Sequence, residues 1–199
     1  MRIGIDIDNV LCDFTRSFLT YTNEKMGASF RYEDVVQYAL WTLWDGTMEE
    51  GVALVKDFFS SRHARKMLPL DGAQEAVKKL RSSGHDLSLI TSRFLEHRPI
   101  TDEWLAKHFP DNPFLEIHFS DNIHTKKERQ TKADICRNLR VDTLIEDGAH
   151  YAIECAPVCQ QVILLDHPWN RNSSLPTNVR RAYSWPEVAE LIQKSLTTF

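Results

Sequence analysis

The chain opens with MRIGIDIDNVLCDF (residues 1–14), an apolar run that ends in two aspartates, Asp6 and Asp8. Residues two apart on an extended strand point to the same side, so both carboxylates would lie on one face at the end of the strand. Two such charges repel each other and resist burial. We therefore interpret the pair as a place where a divalent cation and a phosphate meet. The simpler alternative is that Asp6 ends the strand and Asp8 caps the next helix.

Five short apolar runs of this kind recur along the chain, separated by segments with helical periodicity. Several are continuously apolar, which is typical of strands buried on both faces in a parallel sheet covered by helices. The pattern predicts an α/β fold, a doubly wound, mostly parallel five-stranded sheet with right-handed crossovers. The predicted strands are Ile3–Ile7, Leu87–Thr91, Glu116–Ser120, Thr143–Glu146 and Gln161–Leu165.

A long interval separates the first two predicted strands. It shows helical patterns near Thr15–Met26, Tyr32–Leu40 and Met48–Ser60. An ordinary connection between a strand and a helix takes only ~2–6 residues. We therefore predict a small helical cap over residues 15–70, inserted after the first strand, with residues 1–14 and 71–199 forming the core domain.

Composition excludes several classes of protein. The 199 residues are 42% hydrophobic and carry a net charge of −4, without the concentrated basic surface that a nucleic-acid polymer would require. No apolar stretch reaches the ~18 residues of a membrane span, and the first strand starts at residue 2, which leaves no room for a signal peptide. The four cysteines lack Cys-x-x-Cys spacing and the histidines lack zinc-ligand spacing. We expect a cytoplasmic protein with reduced thiols.

Three further motifs follow the aspartate pair in order. Thr91 and Ser92 end the second run, Lys132 opens a helical segment, and Glu146-Asp147 ends the fourth run. Together the four motifs resemble the haloacid dehalogenase (HAD) superfamily of phosphohydrolases over almost the whole chain. The first motif is similar to the first motif of the 5′(3′)-deoxyribonucleotidases. The segments Leu89–Ser92 and Leu144–Asp147 are similar to later motifs of the same family. The resemblance implies a HAD-type fold, a helical cap and phosphomonoester hydrolysis.

The resemblance and the chemistry of phosphoryl transfer assign a role to each motif. Asp6 would be the nucleophile and Asp8 the general acid and base. Mg²⁺ would be held by the Asp6 and Asp147 side chains and by the backbone carbonyl of Asp8. Lys132 would neutralise charge. Thr91 would bind a phosphate oxygen, together with N–H groups near Asn9 and Ser92, Asn9 standing where many HAD members have a glycine.

Some assignments stay open at this point. Glu146 could bind Mg²⁺ through water or orient Lys132, and Lys126 or Lys127 could serve in place of Lys132. Phe14 could face the substrate or hold the cap hinge. Trp41 and Trp44, in the predicted cap, could stack on a base or pack between cap and core. The segment His167–Asn170 follows the last predicted strand at the same sheet edge and could border the site, but we favour a packed turn.

The leading functional hypothesis is a Mg²⁺-dependent phosphatase of small phosphorylated metabolites. The resemblance favours a 5′-nucleotidase that acts on (deoxy)nucleoside monophosphates through an aspartyl-phosphate, as a monomer or homodimer. The alternatives are a HAD phosphatase of another small ester, such as a sugar phosphate, and a catalytically silent HAD-fold binding module.

Overall fold

A parallel six-stranded sheet forms the centre of the computed structural model, which describes residues 1–120 and 130–196. The strand order is β3-β2-β1-β4-β5-β6, and every neighbouring pair is parallel. The strands are β1 (Arg2–Ile5), β2 (Asp86–Thr91), β3 (Glu116–Phe119), β4 (Thr143–Glu146), β5 (Gln161–Leu165) and β6 (Val179–Ala182).

The prediction of five strands was wrong by one. β6 has the sequence VRRA, in which only Val179 and Ala182 are buried. A short edge strand carries little of the apolar signal that marks the buried strands. The two arginines in the middle of β6 interrupt the apolar pattern, so the sequence did not predict this strand.

β1 lies in the middle of the sheet between β2 and β4. Its Ile3 and Ile5 side chains are buried, and Gly4 allows neighbouring side chains to approach closely. A Cβ at Gly4 would lie 2.9 Å from Ile90 Cδ1 and 3.1 Å from Leu144 Cδ1. This packing fixes β1, and with it the residues that follow the strand.

Eight α-helices are described in these two segments, most of them on the two faces of the sheet. α6 begins at a capping box in which Thr131 and Asp134 satisfy each other's backbone N–H groups. The helices are α1 (Phe14–Met26), α2 (Met48–Ser60), α3 (Arg62–Arg65), α4 (Ala73–Ser82), α5 (Arg98–His108), α6 (Lys132–Leu139), α7 (Ala149–Cys155) and α8 (Trp185–Leu196).

The segment between β1 and β2 is mostly helical, as predicted, but the helix expected near Tyr32–Leu40 is absent from it. Short 3₁₀ turns at Tyr32–Asp34 and Leu40–Trp44 take its place. Val35 is the one buried residue from Tyr32 to Leu40, so a full helix there would lack a packed face to stabilise it.

The hydrophobic core is continuous from the sheet into this inserted segment. One cluster joins Ile5 and Leu89 of the sheet to Phe18 of α1 and Phe58 of α2. A second cluster on the other face packs α6 and α7 against β4 and β5. All four cysteines are buried and free. Across residues 1–120 and 130–196, the helices are too short or too polar to cross a bilayer.

Candidate active site

Acidic side chains gather at the carboxyl edge of the three central strands. Asp6 follows β1, Thr91 ends β2, and Glu146 ends β4 with Asp147 after it. Because β2, β1 and β4 are parallel neighbours, their ends meet at one edge of the sheet, which is where open α/β sheets bind ligands. The structure thus brings together three of the predicted motifs.

Lys132 completes this group from the first turn of α6. Its Nζ lies 2.9 Å from Asp6 Oδ1 and 2.7 Å from Glu146 Oε2. The lysine side chain is buried, and its ammonium also lies 4.5 Å from the centre of the Tyr151 ring. Lys126 and Lys127, the alternatives, lie outside the described residues.

Glu146 is fixed at both of its carboxylate oxygens. Oε2 accepts the hydrogen bond from Lys132, and Oε1 accepts from the backbone N–H groups of Asp147 (3.2 Å) and Gly148 (3.0 Å). This geometry matches the alternative in which Glu146 orients Lys132.

Asp6, Glu146 and Asp147 each place one carboxylate oxygen within 4.8 Å of the others. Burial raises the pKa of Asp6 to about 7, although Lys132 opposes the shift. Burial, with the charges of Glu146 and Asp6, also raises the pKa of Asp147 well above its usual range. One lysine therefore does not balance three buried acids, and a hard divalent cation would supply the missing positive charge. The oxygen-rich ligand set fits Mg²⁺.

Asp147 is held in place by two hydrogen bonds to Oδ2. Asn9 Nδ2 and Trp169 Nε1 both donate to it at 3.2 Å. Asn9 adopts the left-handed backbone conformation (φ 55°), which asparagine tolerates better than most residues. Its side-chain oxygen also accepts from the N–H of Thr15, so one residue connects the acidic site to the start of α1.

His167, two residues after β5, contacts the backbone of Asn9 in the turn that follows β1. Its Nε2 lies 2.7 Å from the Asn9 carbonyl oxygen, its Nδ1 is hydrogen-bonded to the Tyr32 hydroxyl, and its ring stacks on Trp169. Burial lowers the pKa of His167 to about 4, so the ring is neutral at pH 7. A neutral ring with its proton on Nε2 donates to Asn9 and accepts from Tyr32. The segment is a packed turn, as expected, and it also borders the site, which was the alternative.

Arg93 is a site residue that the sequence did not reveal. Its guanidinium donates from Nε to Asp8 Oδ2 (2.9 Å) and from Nη2 to Asp8 Oδ1 (2.7 Å). Its backbone N–H donates to Thr91 Oγ1. The one signal available was its place directly after the Thr91-Ser92 motif.

A cavity of about 300 Å³ opens beside these groups, between the edge of the sheet and the inserted segment. Most of its lining is apolar or aromatic. Trp44 instead lies beside Phe30, with 6.5 Å between the ring centroids, and is not among the described residues that line the cavity. The predicted site residues that do line the cavity are Asp6, Asp8, Asn9, Phe14, Trp41 and Ser92.

A doubly wound parallel sheet with this order of acid, hydroxyl, lysine and acid at its carboxyl edge defines a phosphatase of the HAD superfamily. The chain belongs to the 5′ nucleotidase, deoxy (pyrimidine), cytosolic type C family, which it matches over residues 1–197. The family match makes it a nucleotidase-like phosphatase.

Individual relatives and solved structures are similar to the chain over most of its length. A nucleotidase of Clostridium acetobutylicum is 24% identical over 194 residues, which cover 98% of this chain and 94% of the relative. A haloacid dehalogenase-like hydrolase of Streptococcus pneumoniae has a TM-score of 0.71 at 15% identity, covering 96% and 98% of the two chains. A HAD-type hydrolase of Bacillus subtilis, solved with bound magnesium, has a TM-score of 0.64 at 14% identity, covering 96% and 97%.

Proposed function

We propose that this protein hydrolyses nucleoside monophosphates with the help of Mg²⁺ and through an aspartyl-phosphate. The observation that carries the proposal is the position of Asp6, next to a buried lysine and at the wall of an aromatic-lined cavity. The carboxylate can reach a phosphate, and the cavity can receive a flat leaving group. The family match favours a nucleotide over a sugar phosphate.

In the first step, an Asp6 oxygen attacks phosphorus and the bond to the leaving oxygen breaks. Asp8 gives its proton to that oxygen. In the second step, Asp8 takes a proton from water, which attacks phosphorus and releases phosphate with Asp6 restored. Lys132 neutralises charge on Asp6 and the phosphate, while the Thr91 hydroxyl and backbone N–H groups near Asn9 and Ser92 hold the phosphate oxygens.

The Asp6 and Asp147 side chains and the Asp8 carbonyl would hold the Mg²⁺, with Glu146 orienting Lys132. The acid cluster and its raised pKa values support this choice. When bound, Mg²⁺ neutralises phosphate charge and helps to orient the substrate. The Bacillus subtilis hydrolase, which has the same fold, binds magnesium.

Residues 15–70 would form a cap that covers the site, with residues 1–14 and 71–199 as the core. Trp41 of this segment lines the cavity and packs closely over Gly51 of α2, and Phe14 lines the cavity where the core meets the cap. In this arrangement the cap selects the leaving group, while the core carries out the chemistry.

The test is phosphate release with Mg²⁺ from a panel of deoxy- and ribonucleoside monophosphates, sugar phosphates and an aryl phosphate. Asp6→Asn should abolish turnover and keep the fold, because an amide does not attack phosphorus. Hydrolysis confined to sugar phosphates would overturn the nucleotide proposal. A wild-type protein inactive on every ester, or steady turnover by Asp6→Asn free of deamidation, would overturn the mechanism.

A further inference from the structure

Arg93 donates hydrogen bonds to both carboxylate oxygens of Asp8, the proposed general acid. The two contacts, 2.9 Å from Nε and 2.7 Å from Nη2, form a bidentate fork that fixes the plane of the Asp8 carboxylate. The Cys12 thiol also lies 3.3 Å from Asp8 Oδ1. The Arg93 side chain is 1% exposed and that of Asp8 is 22% exposed. Both residues line the cavity, and the arginine is the more deeply buried of the two.

The guanidinium is itself held in place. Its Nη1 donates to Thr101 Oγ1 at 3.0 Å, and the Thr101 hydroxyl donates in turn to the carbonyl of His97 at 2.8 Å. The centre of the Phe59 ring of α2 lies 4.9 Å from the guanidinium carbon of Arg93. Contacts on three sides leave the fork little freedom to turn, so the orientation of Asp8 follows from that of Arg93.

We propose that Arg93 is a positioning residue that sets the carboxyl group of Asp8 in the orientation in which, once protonated, it can give its proton to the leaving oxygen. This inference rests on the proposed phosphatase mechanism. Proton transfer requires hydrogen-bond distance and direction, and a carboxylate free to rotate would meet them only part of the time. Arg93 suits the task because its planar fork fixes a carboxylate in a way that the single ammonium of lysine does not.

A different role for the same residue is direct phosphate binding. The two roles make opposite predictions for substrates of different leaving group. Loss of a phosphate ligand would slow all esters, whereas misplacement of the general acid would slow only those whose leaving oxygen needs a proton. Dinitrophenolate leaves as a stable anion, while phenolate gains much more from protonation.

The experiment compares phenyl phosphate and dinitrophenyl phosphate with Mg²⁺ and excess enzyme. Single-turnover release of the phenol isolates the first step from the later use of Asp8 as a base. Arg93→Met should slow the hydrolysis of phenyl phosphate by about 10–100-fold and that of dinitrophenyl phosphate by less than about threefold. The ratio of these two rates is the quantity compared among the variants. Arg93→Lys should recover only part of the loss. Thr101→Val, which removes the acceptor for Nη1, should shift the ratio in the same direction by a smaller factor.

Two comparisons complete the design. Arg81→Met removes an arginine that pairs with Asp86, at the opposite end of β2 from Thr91, and should leave the ratio unchanged. In an Asp8→Asn background, Arg93→Met should have no further effect on the ratio, because the group it positions is already lost.

Equal slowing of both esters by Arg93→Met and Arg93→Lys would overturn the inference in favour of phosphate binding. An unchanged ratio in the Lys and Thr101→Val variants would also overturn it, even if the Met variant failed to fold. A wild-type protein inactive on both esters would instead contradict the proposed function.

Discussion

His167 is neutral because it is buried, and this makes its contribution to stability depend on pH. Its pKa is about 4 in the folded protein and about 6.5 in the unfolded chain. Between these values only the unfolded chain takes up the proton, so stability falls as the pH drops from 6.5 towards 4. The loss approaches about 3 kcal/mol at the lower limit.

His167→Gln keeps a side-chain donor for Asn9 but does not titrate. We expect the free energy of unfolding of the wild type to fall more steeply than that of the variant between pH 7 and pH 4.5. Urea denaturation of both proteins at several pH values measures these free energies of unfolding. Because both proteins contain the same acidic residues, the titration of those acids cancels in the difference between the two. Parallel curves for the two proteins would contradict the assigned neutral state of His167.

Asp147 is the residue at which metal binding and folding should be most closely linked. At a magnesium concentration 100 times Kd, a cation bound only to the folded state adds about 2.7 kcal/mol, or about 5–10 °C in Tm. Asp147→Asn relieves the crowding of the buried acids, so its Tm in EDTA should equal or exceed that of the wild type. Its Mg²⁺-dependent gain should disappear along with activity.

Asp142→Asn is the matched control for this experiment. Asp142 directly precedes β4, at the opposite end of the strand from Asp147, and contacts Arg2 and Gln160. In thermal scans, this variant should show the same increase in Tm on addition of Mg²⁺ as the wild type. If the Asp147→Asn variant kept the Mg²⁺-dependent increase in Tm, Asp147 would not be a ligand of the metal.

At the scale of the elements, the 3₁₀ turn Leu40–Trp44 offers two tryptophans in different surroundings. Trp41 lines the cavity, whereas Trp44 packs beside Phe30. Stacking of a base on an aromatic side chain contributes about 1–3 kcal/mol. Trp41→Ala should therefore lower kcat/KM for a nucleoside monophosphate about 5–150-fold, with a much smaller effect on a small aryl phosphate.

Trp44→Ala serves as the comparison, since it should reduce the free energy of unfolding without changing the ratio of the two kcat/KM values. Steady-state kinetics and denaturation curves on both variants decide the matter. If both tryptophans change the ratio equally, or Trp41 changes both substrates equally, Trp41 is a packing residue and the proposal of base stacking fails.

At the scale of the whole molecule, the inserted segment and the sheet share one core. Phe18 and Phe58 belong to the same cluster as Ile5 and Leu89. We therefore expect a single cooperative unfolding transition in which far-ultraviolet circular dichroism and tryptophan fluorescence coincide. An early transition seen only by fluorescence would show that residues 15–70 unfold separately.

The sequence allowed the central strands and the acidic motifs to be predicted for a common reason. Buried parallel strands are continuously apolar, so the polar residues that end them stand out. The edge strand β6 gives no such signal. Arg93 was missed, and the contact between His167 and Asn9 was not foreseen, because the partners lie 85 and 158 positions apart in the sequence. Only the folded chain shows such contacts.

The central position of β1 has a consequence for synthesis of the protein on the ribosome. Asp6 emerges before its neighbours on β4 and α6, which are translated more than a hundred residues later. The edge of β1 that pairs with β4 therefore remains unpaired until the chain has been extended past Asp147. Such long-range pairing slows folding and exposes apolar strands meanwhile. A nascent chain should thus acquire its acidic centre late, and chaperones that shield extended apolar segments should bind it before then.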